Sequence, residues 1–402
     1  MYKITLAIRY LLKRRITYFA VLAVALCVFI VLVVMTVMAG LVGDFKEKNH
    51  LFAGDCVVGT ESLVGFAYYE DFVRRLEETD YVEAVSPTVK SYALIGLKGS
   101  DRRVGVEIMG VDPAMHSRTT GFGNTLLNHE TAPSKAFEQE HDPNLPGIVF
   151  GIDLLDERDV HGHYSHGAGP NGTSYSVSCF PLTPRGAAPG SGAGMVKTKT
   201  FCYSDKSQSG LARVDGALAY VPLEWAQILC GMTDPNRVNA IHIKFRQGVG
   251  LKEGCQKVAS AWEGFKQDKA GEGMAYLLDT VTVRNWKDYR RSSIAPMEKE
   301  QTLMSVMFGF VGITTVFIVF VVSYMIISHK TKDIGILKSI GASNWDIIQL
   351  FSGFGFLVGL LGSSIGLLAG WLFLAKINEI EGWLFDHFMW QLWDRTIYAI
   401  GD

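Results

Sequence analysis

His161, His163 and His166 stand close together in a Gly- and His-rich stretch, 161–172. Imidazole nitrogens are ligands for Zn²⁺ or Cu²⁺, so the spacing invites a metal-site reading. Against it, no carboxylate or thiol stands at a tight interval to complete the shell, and a glycine-rich loop would first have to be ordered. The expectation is a solvated loop and no metal. Asp153, Asp156, Glu157 and Asp159 cluster along one expected helix and its exit. Acid–base chemistry needs carboxylates that converge on one substrate, whereas a run of this kind normally faces water. No nucleophile–base pair stands out, and the chain has no G-x-x-x-x-G-K-[ST] phosphate loop. The residues predict a non-catalytic chain that binds no cofactor of its own.

The most informative residues lie in the loop Lys330–Ser343, between two apolar runs. Ile334, Leu337 and Ile340 recur every three residues, Lys332, Asp333 and Lys338 occupy the rest of the wheel, and Gly341 can end the turn in a left-handed cap. Such a short helix can seat in a cleft on another protein, or lie on the inner leaflet.

Three runs can position that loop. Ile16–Val42, Leu303–Ser328 and Ile347–Ala375 contain no Asp, Glu, Lys, Arg or His, and about 20 apolar residues suffice to span a bilayer as helix. Lys3, Arg9, Lys13, Arg14 and Arg15 precede the first run, and Lys330, Lys332 and Lys338 follow the second. Both places therefore belong in the cytoplasm. The first run is too long for a signal-peptide core, so it reads as an uncleaved anchor. Tyr2–Arg15 alternates apolar and basic residues, as an elbow helix on the inner leaflet should. Spans without ionisable groups argue against an ion-driven carrier or an aqueous pore. A net charge of −2 offers nucleic acid nothing.

The segment between the first two spans reads as α+β. Tyr69–Thr79, Pro222–Met232 and Leu251–Lys266 have helical periodicity, and Tyr92–Leu97 with Val104–Val111 forms a hairpin pattern. Gly147–Leu155 reads as a buried strand entering a helix, and Val238–Phe245 as a half-buried strand. Of the six cysteines, Cys27 lies in a span and Cys56, Cys179, Cys202, Cys230 and Cys255 face outward. Cys179 and Cys202 flank one loop and can pair in an oxidising compartment; five unrelated thiols is the other reading. In the third span Gly362, Gly366 and Gly370 form a four-spaced ridge suited to close helix packing.

The order of elbow helix, span, outer domain, span, "KTKDIGILKSIGAS" and Gly-rich span resembles the permease subunit of MacB/LolC/LolE-type ABC transporters, with their FtsX-like module. "LAIRYLLKRR" (6–15), "GIVFGIDLL" (147–155) and "NWKDYRRSSIAPMEKE" (285–300) resemble that family's opening segment, outer domain and stalk. The resemblance implies that Lys332, Asp333, Ile334, Leu337, Lys338, Ile340 and Gly341 couple to an ABC ATPase subunit. ATP and Mg would be bound by that partner, unlike in MacB, where both parts share one chain. It also implies a second permease subunit, identical or related. Thr183, Pro184, Gly186 and Pro189 resemble the hook by which LolC-type subunits recruit a periplasmic lipoprotein carrier, although the stretch Pro189–Gly194 makes this loop longer. In a bacterial protein, Asn171-Gly-Thr173 is then an incidental glycosylation pattern.

The resulting expectation is a bacterial inner-membrane protein, multi-pass, with its large domain in the periplasm. Its parts would be elbow helix 1–15, span 16–43, α+β domain 44–296 in two subdomains, stalk and span 297–328, coupling loop 329–346, span 347–375 and an outer interfacial segment 376–402. The family has four spans, and three are present, with the fourth expected after the Trp-rich 376–402. The expected function is mechanotransmission: ATP-driven release of lipoprotein to a periplasmic carrier. MacB-like efflux, FtsX-like control of a cell-wall hydrolase, and an ATPase-free membrane receptor are the alternatives.

Overall fold

The computed structural model describes residues 15–97, 103–138, 142, 144–156, 164, 172–188, 195–329, 331–341 and 343–388. In chain order the main elements begin with α1 (Arg15–Ala53), β1 (Cys56–Gly59), β2 (Phe66–Ala67), α2 (Tyr69–Glu77), β3 (Val82–Leu97), β4 (Arg103–Val111) and α3 (Pro113–Thr119). Then follow β5 (Gly147–Gly151), β6 (Ser174–Cys179), β7 (Lys197–Ser207), β8 (Leu218–Pro222), α4 (Leu223–Cys230), β9 (Arg237–Val238) and β10 (Ala240–Phe245). The chain continues through α5 (Leu251–Asp268), β11 (Thr282–Asn285), α6 (Arg291–His329), α7 (Thr331–Ser339), α8 (Asn344–Ala375) and α9 (Ile377–Phe388). Among the described residues two compact units result, one from 15–43 and 295–388, the other from Asp44–Ile294.

The first unit is built on α1, α6 and α8, each long and apolar enough to cross a membrane. At 39 residues apiece α1 and α6 exceed the bilayer core, since a helix rises about 1.5 Å per residue and the core is roughly 30 Å thick. Ala20, Phe354 and Val358 form a small buried cluster between α1 and α8, and Phe29 meets Phe373 edge-on at 5.6 Å. Many of their other large apolar side chains are exposed, as Phe310, Phe317 and Trp371 are, which suits a lipid solvent.

The second unit is organised by a nine-stranded sheet in the order β11-β1-β10-β3-β4-β8-β5-β7-β6. The sixteen-residue β3 ties it together, pairing antiparallel with β10 near its start, with β4 along its length and with β6 at its end. β8 joins β4 in parallel, and so does β7 with β5. Phe66, Phe72, Trp262 and Phe265 pack as one aromatic group, with Trp262 and Phe72 centroids 4.8 Å apart. A fully buried aromatic of this kind contributes about 2–3 kcal/mol of transfer free energy. A second apolar cluster gathers Met109, Phe122, Val149 and Tyr220.

Three local expectations differ from what is found. β10 is not half-buried: only Lys244 reaches partly into solvent, because the strand lies between β1 and β3 under covered faces. Pro222 stands in the N-cap position of α4, ahead of its first turn. After β5 the described residues up to Asp156 make a single 3-10 turn, Ile152–Leu154.

Candidate functional site

Within α7, Lys332 and Ile336 are exposed, Ile334 is half-buried, and Asp333 and Leu337 occupy the third and seventh positions. The helix is closed by two backbone bonds, Ile340 N–H to Ile336 O and Gly341 N–H to Lys338 O. Gly341 has φ +100°, a conformation open to glycine and costly to a residue with a Cβ. Two residues on, Ser343 begins α8 with a reciprocal cap. Its Oγ accepts the Asp346 N–H at 3.2 Å, and the Asp346 carboxylate accepts the Ser343 N–H at 3.2 Å. The cap satisfies donors that a helix start would otherwise leave bare. The whole forms a short joint that displays Ile340, 80% exposed, and Trp345, 67% exposed. Exposed side chains of this size suit a partner surface.

Gly362, Gly366 and Gly370 all turn towards α1. A Cβ at Gly362 would stand 2.7 Å from the Val24 Cβ, and one at Gly366 would stand 2.5 Å from the Ala25 carbonyl oxygen. One at Gly370 would meet the Leu32 Cδ2 at 2.5 Å. A side chain at Gly362 or Gly366 would push α8 and α1 apart, one at Gly370 would displace the end of the Leu32 side chain, and Gly309 and Gly359 have open space around them.

On the outer unit, the segment from Thr183 to Ala188 folds into a closed turn. Thr183 N–H donates to Ala187 O at 2.9 Å, Gly186 N–H donates to Thr183 O at 2.8 Å, and the Thr183 hydroxyl donates to Ala187 O at 3.0 Å. Gly186 sits at φ +79°, and the Tyr276 hydroxyl donates to Pro184 O at 3.3 Å. Arg185, Gly186, Ala187 and Ala188 are exposed. The turn is thus shaped by its own hydrogen bonds while presenting its tip to solvent. Pro189, the last of the expected hook residues, lies outside the described residues, as do His161, His163 and His166. Among the described residues no group of His, Cys, Asp and Glu is arranged to hold a metal ion.

Where the outer unit receives the end of α1, a polar junction forms that the sequence did not announce. Asp55 accepts the His50 ring at 2.8 Å and the Phe245 N–H at 2.8 Å. Burial works against its charge, but the His50 and Phe245 donors prevail and hold its carboxyl below the usual carboxylate range. His50 stacks on Trp286 at 4.6 Å, and the Trp286 N–H donates to Asp55 O. Arg290 donates through Nε to the Asn49 Oδ1 at 2.8 Å and lies over the Phe52 ring at 4.7 Å. Asp55 and Phe245 are 190 residues apart and Asn49 and Arg290 are 241 apart, so periodicity and motif spacing carry no signal for them. Elsewhere the fully buried Asp205 accepts the N–H groups of Asn128 and His129 and the His129 ring. It fastens the chain after α3 to β7.

A cleft of 270 Å³ near this junction is lined by Lys90, Glu107, Arg213, Glu61 and Arg284, among others. Its charges close on one another, with Lys90 to Glu107 at 3.0 Å, Arg213 to Glu107 at 3.3 Å and Arg284 to Glu61 at 2.8 Å. Exposed pairs of this kind contribute about 0–1 kcal/mol each and mainly fix geometry.

Residues 305–399 match the family of FtsX-like permease C-terminal domains. Over 96% of its length the chain is 23% identical to the lipoprotein-releasing system transmembrane protein LolC of Neisseria meningitidis, covering 83% of that protein. It is 20% identical to LolC of Xylella fastidiosa (strain Temecula1), over 99% of this chain and 87% of that one. Among solved structures, the periplasmic region of MacB from Actinobacillus actinomycetemcomitans aligns with 60% of this chain and 92% of its own, at 12% identity and a TM-score of 0.33.

Proposed function

We propose, from the premise that this chain is an ABC-transporter permease of the LolC/MacB type with an FtsX-like C-terminal domain, that it releases lipoproteins from the inner membrane to a periplasmic carrier. A permease of this type works with an ATPase and with a second permease subunit. In the proposed arrangement the ATPase is a separate chain that binds ATP and Mg, and it engages α7 through Ile334, Leu337, Ile340 and the neighbouring Lys332, Asp333 and Lys338. The basic residues before α1 and around α7 support a cytoplasmic position for both and a periplasmic one for Asp44–Ile294. The missing ionisable groups in the spans support an energy source outside the bilayer. Movement of α1 and α6 would reach the outer unit at Asn49, Asp55, Trp286 and Arg290, where residues at both of its chain passages are hydrogen-bonded together.

The observation that carries the lipoprotein reading is the self-closed turn Thr183–Ala187 with its exposed tip. A semi-rigid projecting turn loses less freedom on docking than a flexible loop does.

The test reconstitutes the purified permease and the ATPase that copurifies with it in proteoliposomes loaded with a labelled lipoprotein, and follows ATP-dependent release into soluble periplasmic extract. Release by wild type, with loss of ATPase copurification in Leu337→Asp, is the expected result. Gly186→Val should retain the ATPase but lower release about tenfold, since a Cβ is strained at positive φ and removing ~1–2 kcal/mol of preorganised docking has that effect. ATPase recovery without any lipoprotein release would sink lipoprotein release and leave efflux or hydrolase control. Failure to recover an ATPase from well-folded protein would leave a receptor.

A further inference from the structure

The sheet of the outer unit carries an apolar groove on its exposed face. Tyr92, Leu94 and Phe180 are 57%, 36% and 58% exposed, and with Gly105, Glu107 and Arg213 they line an open groove of 430 Å³. Tyr92 stands opposite Glu107 and Leu94 opposite Gly105 in the β3–β4 ladder, so these four share one face, while Ala93 and Ile95 turn inward. Cys179 pairs with Ala93 and with Lys197, at the end of β6 away from Cys202, and both thiols are free. Phe180 follows Cys179 and therefore turns to the face of Tyr92 and Leu94.

The groove runs along a short stretch of unpaired strand edge. The Glu107 N–H donates to Ala217 O at 2.7 Å, on the flank of β4 away from β3. β8 pairs with β4 only from Leu218, opposite Glu107, to Pro222, opposite Val111. Backbone groups alternate between the two flanks of a strand, so Gly105 directs its N–H and C=O to the flank that Glu107 uses. Among the described residues no strand lies there to pair with them. Gly105 is exposed, and a Cβ on it would meet nothing within 4 Å. We propose that this edge and groove bind an extended polypeptide segment of the lipoprotein, which adds to β4 as a short strand; the proposal rests on the lipoprotein-release reading.

Three observations select that occupant. The free N–H and C=O of Gly105 match a peptide backbone, whereas an acyl chain could satisfy neither. Tyr92, Leu94 and Phe180 offer apolar contact to alternate side chains of the added strand. Lys90 and Arg213 already hold the Glu107 carboxylate at 3.0 and 3.3 Å, and Arg103 reaches the Ser178 hydroxyl at 3.1 Å. Three cations against one carboxylate favour acidic residues on the segment. Main-chain pairing reads no side chain, so one edge can accept cargo of varied sequence. The place of the groove suits cargo in transit. The cleft beside Phe52 and Arg290 shares Tyr92, Glu107 and Arg213 with it, and Phe180 leads into the turn at Thr183. One continuous open surface thus joins the junction at Arg290 to the turn proposed to receive the carrier.

The experiment replaces Leu94 of the full chain with the photo-crosslinker p-benzoylphenylalanine and uses the reconstituted system with labelled lipoprotein and copurified ATPase. Cross-links from position 94 into the lipoprotein polypeptide, mapped by mass spectrometry, are the expected result. Gly105→Trp should fill the groove and lower cross-linking and release about tenfold. Its Tm in detergent and its ATPase recovery should match wild type, since the position is open. Gly105→Pro removes the N–H on the free flank while sparing the ladder to β3, and should lower cross-linking several-fold. Wild-type release without these cross-links, and undiminished in both variants, would overturn the site and leave lipoprotein release standing. Cross-links into the acyl chains, with Gly105→Pro like wild type, would overturn strand addition. Cross-links only into the carrier or the second permease would overturn the cargo as occupant. If wild type releases no lipoprotein, the functional reading itself fails, and this occupant falls with it.

Discussion

Arg290 donates its Nε–H to the side-chain oxygen of Asn49 at 2.8 Å, joining positions 241 residues apart. Asn49 is fully buried and its amide donates to Phe45 O, so its side chain cannot swing away to water. The guanidinium is itself desolvated, which pushes its pKa down from the usual arginine value. The bond ties the last turn of α1 to the residue that precedes α6.

Asn49→Ala should therefore destabilise the outer unit by about 1–3 kcal/mol, the usual cost of leaving a buried charged donor without its acceptor. In the reconstituted system it should leave ATPase copurification intact and lower ATP-dependent release, because α7 is untouched while the junction is loosened. Equal loss of ATPase binding and release would indicate general misfolding. Unchanged release would sink the junction as a transmission point.

Gly366 allows a second close approach, this one to the Ala25 carbonyl. Gly366→Leu is expected to cost about 1–3 kcal/mol through overpacking, read as a lower Tm in detergent and as loss of a disulfide engineered between α1 and α8. Gly359→Leu, at a position with open space around it, should leave both readings near wild type. If the two variants behave alike, α8 does not rest on α1 through its glycine face.

Much of the helical pattern was legible because its determinants are local. Four-residue glycine steps put Gly362, Gly366 and Gly370 on one helix face whatever surrounds the helix, and Ile334, Leu337 and Ile340 follow the same rule. The junction at Asn49, Asp55, Trp286 and Arg290 depends instead on which strands meet. β6 pairs with the end of β3 as well as with β7, and no spacing rule encodes that. β10 misled for a related reason. The alternation Ile241, His242, Ile243, Lys244 signals one wet face, but His242 satisfies its Nδ1–H on Ala53 O inside the protein.

His242 also sets a pH dependence. Burial lowers its pKa first, and nearby Arg290 and Lys90 lower it further; the bond to Ala53 O works the other way but leaves it at about 4. Its neighbour His116, ring centroid 5.7 Å away, is lowered well below its usual value by burial and by His242. Both are neutral when folded and take up a proton on unfolding below about pH 6.5, so stability is flat above that value and falls as pH drops towards 4. His242 alone should remove about 2 kcal/mol between pH 7.5 and pH 5. Chemical denaturation of the full chain in detergent at the two pH values checks this. His242→Asn keeps a donor for Ala53 O and cannot titrate, so it should shrink the difference. Equal wild-type stability at both pH values would mean that the histidines are not buried as neutral groups.

Gly341 and Ser343 shape the joint between α7 and α8 by opposite means, one ending a helix at positive φ and the other starting the next with a reciprocal cap. Gly341→Ala forces a Cβ into a conformation costing about 1–2 kcal/mol, which the chain relieves by turning α7. Ser343→Ala removes the cap at about 1 kcal/mol, because the Asp346 N–H loses its hydroxyl acceptor. Both should weaken ATPase recovery several-fold if α7 must be presented at a fixed angle. Gly335→Ala, inside α7 with open space around it, should instead firm the helix by about 0.5–1 kcal/mol and leave recovery equal or higher. Quantifying the copurified ATPase across the three variants separates orientation from helicity. A drop in Gly335→Ala as large as that in Gly341→Ala would mean that the ATPase contacts the glycine surface of α7 directly, and that the joint does not set its angle.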